Sequence, residues 1–224
     1  MQEESANGNS SAGFEDPLGY LPRALTKLYS MWVRMTYPFA SVGRELSIHP
    51  TCHLQRHAAH LIKIGNSVFL GKNVWIGAIV EMNNEPVISI DDGAKINSLV
   101  QISAKNHIHI GRDALISTGV LIQDHGHAYE DVTKPVCKQG ITEGGRIRIE
   151  EGCWIGRGAA IVCTKGELVV GRNCVVAANA VVLRSCPPHS VVFGNPAKVI
   201  RRYDFSRNMW VLGSGAPAHS EVEQ

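Results

Sequence analysis

The feature that most constrains this chain is an aliphatic residue at every sixth position. The spacing recurs in five sets of three, and every member is Ile, Leu or Val. The fifteen positions are Ile64, Leu70 and Ile76; Ile90, Ile96 and Ile102; Ile110, Ile116 and Ile122; Ile149, Ile155 and Ile161; and Val170, Val176 and Val182. A helix would space apolar residues by three or four, and an isolated strand would alternate them. Steps of six in groups of three predict a triangular solenoid, in which each step forms one flat side.

The residue types along the repeat agree with such a solenoid. Parallel strands that are buried favour Ile and Val, so the repeated residue should point inward and stack on its counterpart in the next coil. The fifth position of each step is mostly a small apolar residue, and Cys153, Cys174 and Cys186 fall in that class. Asn106 and Lys165 depart from the rule, each in the third step of its coil. The repeat alone does not fix the handedness of the coil.

Interruptions of the repeat all follow a third step, so every insertion should leave the solenoid at the same corner. They cover residues 82–89, 108–109, about 128–148 and 167–169. Loops that project from a stacked scaffold commonly carry the functional site. The longest insertion is therefore the candidate.

The flanking segments differ from the repeat. Residues 1–15 are polar and acidic and are predicted to be a disordered tail, as are residues 213–224. Residues 16–60 are assigned to a helical cap and connector, residues 61–195 to the solenoid with a protruding loop at 124–148, and residues 196–212 to a short C-terminal helix starting near Pro196. The cap helix has apolar residues at helical spacing, namely Leu18, Leu21, Leu25, Leu28 and Trp32. We expect it to cover the open N-terminal end of the prism or to contact a sister subunit; contact with a membrane surface is an alternative.

Composition restricts the classes of partner. The 224-residue chain has a formal net charge of +2, which gives no basic face for nucleic acid. No apolar run reaches the roughly 20 residues of a membrane span, and the N-terminus lacks a signal-peptide pattern. The six cysteines include no CxxC pair and suggest no disulfide framework. We therefore expect reduced thiols in a cytoplasmic protein.

Residues from about 62 to 203 resemble the hexapeptide-repeat acyltransferase family. The segments that carry the resemblance to its sugar and polysaccharide O-acetyltransferase branch are "DHGHAYEDVTKP" (124–135), "GCWIGRGAAIV" (152–162) and "VVGRNCVVAANAVVLRSCPPHSVVFGNPAKVIRRY" (169–203). The resemblance implies an all-β fold, the left-handed parallel β-helix. It also implies a homotrimer with sites between neighbouring prisms, acetyl-CoA as the donor, a small-molecule or glycan acceptor, and no metal.

The family pattern of a strand followed by histidine places His125 as the general base, with His127 as the alternative. Neutral imidazole suits this role near pH 7, because an acceptor hydroxyl attacks a thioester readily only when its proton is removed. Asp124 could orient the imidazole, as could Glu130 or Asp131. The acceptor candidates are Asn97, Asn84 and Tyr129.

Donor binding is expected along the last coils. The resemblance of "WIGRGA" to the stretch that lines the pantetheine cleft suggests Trp154, Gly156, Ala159 and Ala177. The CoA phosphates require cations, for which Arg184, Lys198, Arg201 and Arg202 are candidates.

Three other interpretations stay open. N-acetylation of an amino or nucleotide sugar would use the same base and donor. Zinc carbonic anhydrases share the fold and bind zinc through three histidines, for which His107, His127 and His109 are the candidates here. Seven histidines lie outside the loop motif. These are His49, His53, His57, His60, His107, His109 and His189. A non-catalytic assembly subunit is the third interpretation.

Overall fold

The computed structural model describes residues 20–80 and 85–213. One α-helix, α1 (Tyr20–Thr36), precedes a succession of short strands. The first strands are β1 (Ser41–Val42), β2 (Ser47–Ile48), β3 (His53–Leu54), β4 (Ile62–Ile64), β5 (Phe69–Leu70), β6 (Trp75–Ala78), β7 (Ile88–Ile90), β8 (Lys95–Ile96), β9 (Gln101–Ala104), β10 (His107–Ile110), β11 (Leu115–Ile116) and β12 (Leu121–Gln123). The remaining strands are β13 (Gly144–Ile149), β14 (Trp154–Ile155), β15 (Ala160–Val162), β16 (Lys165–Val170), β17 (Val175–Val176), β18 (Val181–Val182), β19 (Ser190–Gly194), β20 (Ala197–Asp204) and β21 (Met209–Leu212). Short 3-10 helices cover Arg56–Leu61 and Val136–Lys138.

Three sheets form the sides of the prism, and every third strand belongs to the same sheet. We call them side A (β1, β4, β7, β10, β13, β16), side B (β2, β5, β8, β11, β14, β17, continued by β19, β20 and β21) and side C (β3, β6, β9, β12, β15, β18). The predicted rungs pair in register: on side B, Ile96 lies opposite both Leu70 and Ile116. All fifteen repeat residues are buried. The triangular solenoid predicted from the six-residue repeat is therefore confirmed.

The solenoid begins one coil earlier than the sequence boundary at residue 61. Val42, Ile48 and Leu54 occupy the rung positions of β1, β2 and β3, and each pairs with the rung of the next coil. These three residues are also six apart. An insertion that contains the 3-10 helix Arg56–Leu61 follows Leu54 and separates this first coil from the five predicted ones.

Sharp bends at two of the three corners depend on one repeated backbone conformation. The third residue after each rung on sides A and B adopts a positive φ in all five predicted coils. These residues are Ser67, Gly93, Asp113, Gly152 and Asn173 after side A, and Asn73, Leu99, Gly119, Gly158 and Asn179 after side B. Glycine, Asn and Asp tolerate this conformation best. Ser67, with φ +54°, and Leu99, with φ +61°, are the exceptions.

Helix α1 covers the N-terminal end of the solenoid, but with a different face from the one predicted. Ser30 and Val33 are buried, and the backbone N–H of Ile48 in the first coil donates to Ser30 Oγ over 2.8 Å. Leu21, Leu25 and Leu28 are instead more than half exposed. The apolar stripe of the sequence therefore points away from the prism, because the polar Ser30 supplies the hydrogen bond that caps the first strand of side B.

The predicted C-terminal helix is wrong. Residues 197–204 form β20, which pairs antiparallel with β19, and β21 extends the same sheet. Gly194 adopts φ +101° at the turn between β19 and β20. The chain turns back there and hydrogen-bonds the open edge of side B, so sheet pairing satisfies the backbone groups that a helix would have satisfied internally.

Residues 1–19 and 214–224 lie outside the described residues. They include the whole predicted tail of residues 1–15 and all of the predicted tail of residues 213–224 except Gly213. None of the helices in the described part of the chain has the length and apolar character needed to cross a bilayer.

Candidate active site

Asp124 is the most deeply placed polar group at the insertion corner. It follows β12 on side C, and its side chain is fully buried. The carboxylate accepts three backbone hydrogen bonds from the turn of the preceding coil: Oδ1 from Lys105 at 2.7 Å, and Oδ2 from Asn106 and His107, each at 2.8 Å. A buried carboxylate held by several N–H donors is stabilised in its charged form. The three N–H donors therefore hold the Asp124 carboxylate in one orientation.

His125 is oriented by this carboxylate. Its Nδ1 lies 2.9 Å from Asp124 Oδ1, and the ring is nearly buried, with 9% of the side chain exposed. An ionised carboxylate can only accept, so Nδ1 carries the proton and Nε2 has the free lone pair. Nε2 lies 3.5 Å from Ser103 Oγ of β9. Gln123 Nε2 also donates to the carbonyl of His125 over 2.9 Å, which holds the main chain at the ring.

The base of the protruding loop is closed by contacts between its two ends and by contacts with the turn at residues 105–107. Gly126 N donates to Thr142 Oγ1 at 3.0 Å, and Thr142 N donates to Gly126 O at 2.8 Å. Lys105 Nζ donates to Thr142 O, and Asn106 Nδ2 donates to Glu143 O, both at 2.9 Å. The turn therefore contacts both ends of the loop: its backbone binds Asp124 and its side chains bind the returning strand. This explains why Asn106 departs from the small-residue rule.

The other loop candidates have different surroundings. His127 is exposed, and its backbone forms a bridge with Ile141. Tyr129 is 69% exposed. Glu130 accepts from Tyr129 N, while Asp131 binds Lys134 and Thr133, with Lys134 the main cause of a lowered Asp131 pKa. The two loop carboxylates are thus occupied within the loop, and only Asp124 contacts an imidazole of the motif.

Two further histidines lie on the adjacent side A. His109 Nε2 lies 2.9 Å from Asp91 Oδ2. Partial burial lowers the pKa of His107, and the charges of Arg146 and His109 lower it further. Within residues 20–80 and 85–213, no three His, Cys, Asp or Glu side chains cluster as they would around a metal ion.

Three of the predicted acceptor and donor residues stand at a different corner from His125. Asn97, Gly156 and Ala177 each follow a rung of side B and form one column, in which each backbone N–H donates to the rung of the next coil. A Cβ atom at residue 156 would lie 2.7 Å from the backbone N of Ala178, so the next coil is too close at this point for any side chain. Trp154, half exposed on side B, donates from Nε1 to Ser117 Oγ over 3.0 Å. His125 lies at the corner between sides C and A, so a single protomer does not bring the two groups together.

Ala159 and Asn84 do not join the residues of this column. Ala159 is fully buried, and its N–H and C=O are hydrogen-bonded within the coils, so it is not available to a donor molecule as predicted. Asn84 lies outside the described residues.

The four cations proposed for CoA phosphates are exposed. Arg184 follows β18, and Lys198, Arg201 and Arg202 lie on β20 rather than on a helix. Because β20 pairs with β19 in the C-terminal hairpin, Lys198, Arg201 and Arg202 lie at the C-terminal end of side B.

Sequence reasoning missed Ser103, which contacts the imidazole, Gln123, which binds the His125 carbonyl, and Thr142, which binds Gly126 at the base of the loop. Gln123 and Ser103 lie opposite each other on side C, so the rung register would have placed them together. No sequence signal marks Thr142, which reaches the site only through closure of the loop.

Comparisons with known proteins agree with this architecture. Residues 146–184 match the family model described as the hexapeptide repeat of succinyl-transferase. The chain is 28% identical, over 71% of its length and 83% of the relative, to a protein of Escherichia coli (strain K12) assigned as a lipopolysaccharide biosynthesis O-acetyl transferase, WbbJ. It is also 28% identical to the galactoside O-acetyltransferase of Lactococcus lactis subsp. lactis (strain IL1403), over 62% of the chain and 57% of that protein.

A solved structure shows the same fold. AntD, an N-acyltransferase from Bacillus cereus in complex with dTDP and 3-hydroxybutyryl-CoA, superposes with a TM-score of 0.61 over 81% of this chain and 89% of that one, at 17% identity. The predicted left-handed parallel β-helix is confirmed, as is the resemblance to hexapeptide-repeat acyltransferases.

Proposed function

We propose that this chain, a hexapeptide-repeat acyltransferase, transfers an acetyl group from acetyl-CoA to a hydroxyl of a sugar or glycan, with His125 as the general base. The observation that carries the proposal is the contact between the buried Asp124 carboxylate and His125 Nδ1. It leaves Nε2 as a proton acceptor at the start of the longest insertion. The names of the relatives from Escherichia coli and Lactococcus lactis support an O-acetyltransferase.

The transfer requires two proton movements. His125 Nε2 takes the proton of the acceptor hydroxyl as its oxygen bonds to the thioester carbonyl carbon. The tetrahedral intermediate collapses, the carbon–sulfur bond breaks, and the CoA sulfur receives the proton from the imidazolium. Asp124 stabilises that cation between the two steps and stays ionised. Neither a metal nor a covalent enzyme intermediate is needed.

The separation of the two groups of residues supports an assembly. Asn97, Gly156 and Trp154 lie at the corner between sides B and C, whereas His125 lies at the corner between sides C and A. We propose a homotrimer, in which a neighbouring prism supplies the side-B corner that completes the site.

The activity test is acceptor-dependent release of CoA thiol with a panel of sugars, amino sugars and nucleotide sugars. The exposed Cys137 would react with a thiol reagent, so the assay is best run in a Cys137→Ser background. We expect His125→Ala to lower kcat by at least about 100-fold, the usual contribution of a general base. The matched control is His127→Ala, which should retain most of the activity.

The outcomes separate the alternatives. Products with amide bonds only would support N-acetylation, and no thiol release with any acceptor would contradict the transferase. If His127→Ala, and not His125→Ala, abolishes the reaction, the assignment of the base is wrong. For the assembly, mixed trimers of His125→Ala with Trp154→Ala protomers should recover activity, because some interfaces would combine two intact halves.

A further inference from the structure

A groove lies between the N-terminal half of α1 and side B. It has a volume of about 1090 Å³, and its floor runs over three coils, from Leu46 beside β2 to Asn97 after β8. Arg23 and Lys27 share a helical row with the prism-facing Ser30, at intervals of four and three residues, so both face this groove. A volume of this order is typical of a small-molecule site.

The walls of the groove are positively charged. Arg23 and Lys27 line it from the helix, and Lys72 lines it from the corner after β5. Of the described residues that line it, Glu45 is the one carboxylate, and it accepts from Ser67 Oγ over 2.9 Å. A ligand that complements three cations carries more than one negative charge, as a diphosphate does.

His49 adds a neutral hydrogen-bond donor to the same groove. The backbone N–H of Thr51 donates to His49 Nδ1 over 3.2 Å. In the neutral ring the proton is therefore on Nε2, because one ring nitrogen accepts and the other donates. Nε2 is then the donor that this ring offers to a phosphate oxygen.

The rest of the groove is largely apolar and contains one aromatic ring. Phe69 on β5 is 39% exposed, and Pro22, Ala24 and Leu46 lie around the same space. Gly71 has no side chain, so the floor beside the ring stays open. An exposed aromatic ring stacks on the face of any nucleobase. A long lipid chain would extend beyond a groove of this volume, whereas a nucleoside fits within it.

The groove leads to the predicted acceptor residue Asn97, which lines its far end. Asn97 belongs to the coil β7–β9, and His125 follows the last strand of the next coil. Strands of neighbouring coils are about 4.8 Å apart, so the two residues differ by about one coil along the prism. In a trimer of parallel prisms, a sugar at Asn97 would face His125 of the neighbouring protomer while its phosphates lie in the groove.

We infer that the groove binds the nucleoside diphosphate part of a nucleotide-sugar acceptor. Arg23, Lys27 and Lys72 contact the phosphates, Phe69 stacks on the base, and the sugar lies at Asn97. The transfer to that sugar rests on the proposed function, whereas binding of the nucleotide does not.

The binding test uses the full chain without acetyl-CoA and isothermal titration calorimetry with UDP-glucose, GDP-glucose and dTDP-glucose. We expect at least one of them to bind at least about tenfold more tightly than glucose 1-phosphate, which lacks the base and the second phosphate. Lys27→Gln with Lys72→Gln should weaken this binding roughly 100-fold, because each lysine supplies a charge-assisted hydrogen bond. Both lysines are exposed, so the double variant should fold.

Phe69→Leu tests the base separately from the phosphates. It should weaken binding of the nucleotide sugar about tenfold and leave binding of glucose 1-phosphate nearly unchanged, because only the former has a base to stack. The matched control for the lysines is Lys63→Gln, which removes the same charge from side A of the same coil and should bind as the wild type does.

Three results would overturn the inference. The first is that none of the three nucleotide sugars binds, or that the lysine pair does not weaken binding. The second is an equal effect of Phe69→Leu on the nucleotide sugar and on glucose 1-phosphate. The third is tighter binding of a detergent-solubilised polyprenyl diphosphate-linked glucose than of any nucleotide sugar.

Failure of this inference and failure of the proposed function give different results. Nucleotide-sugar binding that the lysine pair weakens, without thiol release from acetyl-CoA, supports the groove and contradicts the transferase. Thiol release with free sugars and no binding of nucleotide sugars supports the transferase and overturns the role of the groove.

Discussion

Asp124 Oδ1 lies 2.9 Å from Nδ1 of His125, its immediate neighbour in sequence. Adjacent residues in a strand would point to opposite faces. Here the strand β12 has ended, and the chain turns so that both side chains meet under the loop. Three backbone N–H groups hold the carboxylate, so the imidazole has a fixed direction.

Asp124→Asn should reduce both catalysis and stability. An amide would present an N–H₂ group to backbone N–H donors and would lose the interaction with the imidazolium, so we expect kcat to fall by at least about 100-fold. The free energy of unfolding should fall by about 1–3 kcal/mol, the usual cost of an unsatisfied buried donor. Steady-state kinetics and urea unfolding provide the two measurements.

The matched control for Asp124 is Asp113→Asn, at an exposed corner where Asn tolerates the positive φ of 54°. A positioning role predicts a lower kcat with little change in the KM for acetyl-CoA. A variant with lower stability and unchanged kcat would show that Asp124 is only structural.

His107 should make the protein less stable in mild acid. Burial, Arg146 and His109 lower its pKa in the folded state below the ordinary 6.5. Above that pH both states are neutral. As the pH falls through it, the unfolded chain binds the proton more readily, and stability is lost. His107→Gln should therefore flatten the decrease in unfolding free energy between about pH 7 and 5, measured by urea denaturation. Parallel curves for the two proteins would contradict this account.

Native thiol reactivity should be restricted to one cysteine. Cys137 is exposed in the loop, while the other five cysteines are buried. Burial raises the pKa of Cys52 to about 11 and the pKa values of Cys153 and Cys186 to about 12, so these thiols supply little thiolate. Titration with a disulfide reagent should give one equivalent for the folded wild type, none for Cys137→Ser, and six equivalents for the denatured wild type. A second fast thiol in the folded state would contradict the placement of the coils.

Leu99→Asn should stabilise the solenoid. Leu99 adopts φ +61° and is 58% exposed, so the substitution relieves backbone strain and loses little burial. A left-handed residue costs roughly 1–2 kcal/mol, and Asn tolerates the conformation better, so we expect a gain of about 1 kcal/mol. The reciprocal control is Asn73→Leu, at the same corner one coil earlier, which should lose a similar amount. Both are measured by urea unfolding, and a loss of stability in Leu99→Asn would refute the prediction.

Most of the fold could be predicted from local sequence, because a coil of three six-residue steps repeats the same environment. Ile116 stacks between Ile96 and Ile155 because each inward-facing repeat residue stacks on the residue at the same position of the neighbouring coils. The flanks were less predictable. Helix α1 is predicted to pack on the prism or on a sister subunit, and it contacts the prism through Ser30, which binds Ile48, and not through its leucine stripe. The segment after Pro196 pairs with an open strand edge that exists only in the folded protein.

The solenoid and the corner where its insertions leave follow from the spacing of the repeat alone. The loop motif supplied Asp124 and His125 as one pairing among candidates that also included His127, Glu130 and Asp131. Only the tertiary structure decided what holds that pair. Lys105 and Asn106 precede Asp124 by 19 and 18 residues and meet it because the coils stack. Thr142 binds Gly126, the residue after the pair, because the loop closes. Each repeat residue stacks on a similar residue at the same position of the next coil, so its contacts can be read from the spacing. The site instead depends on contacts between unlike residues of different coils and on a loop of irregular length.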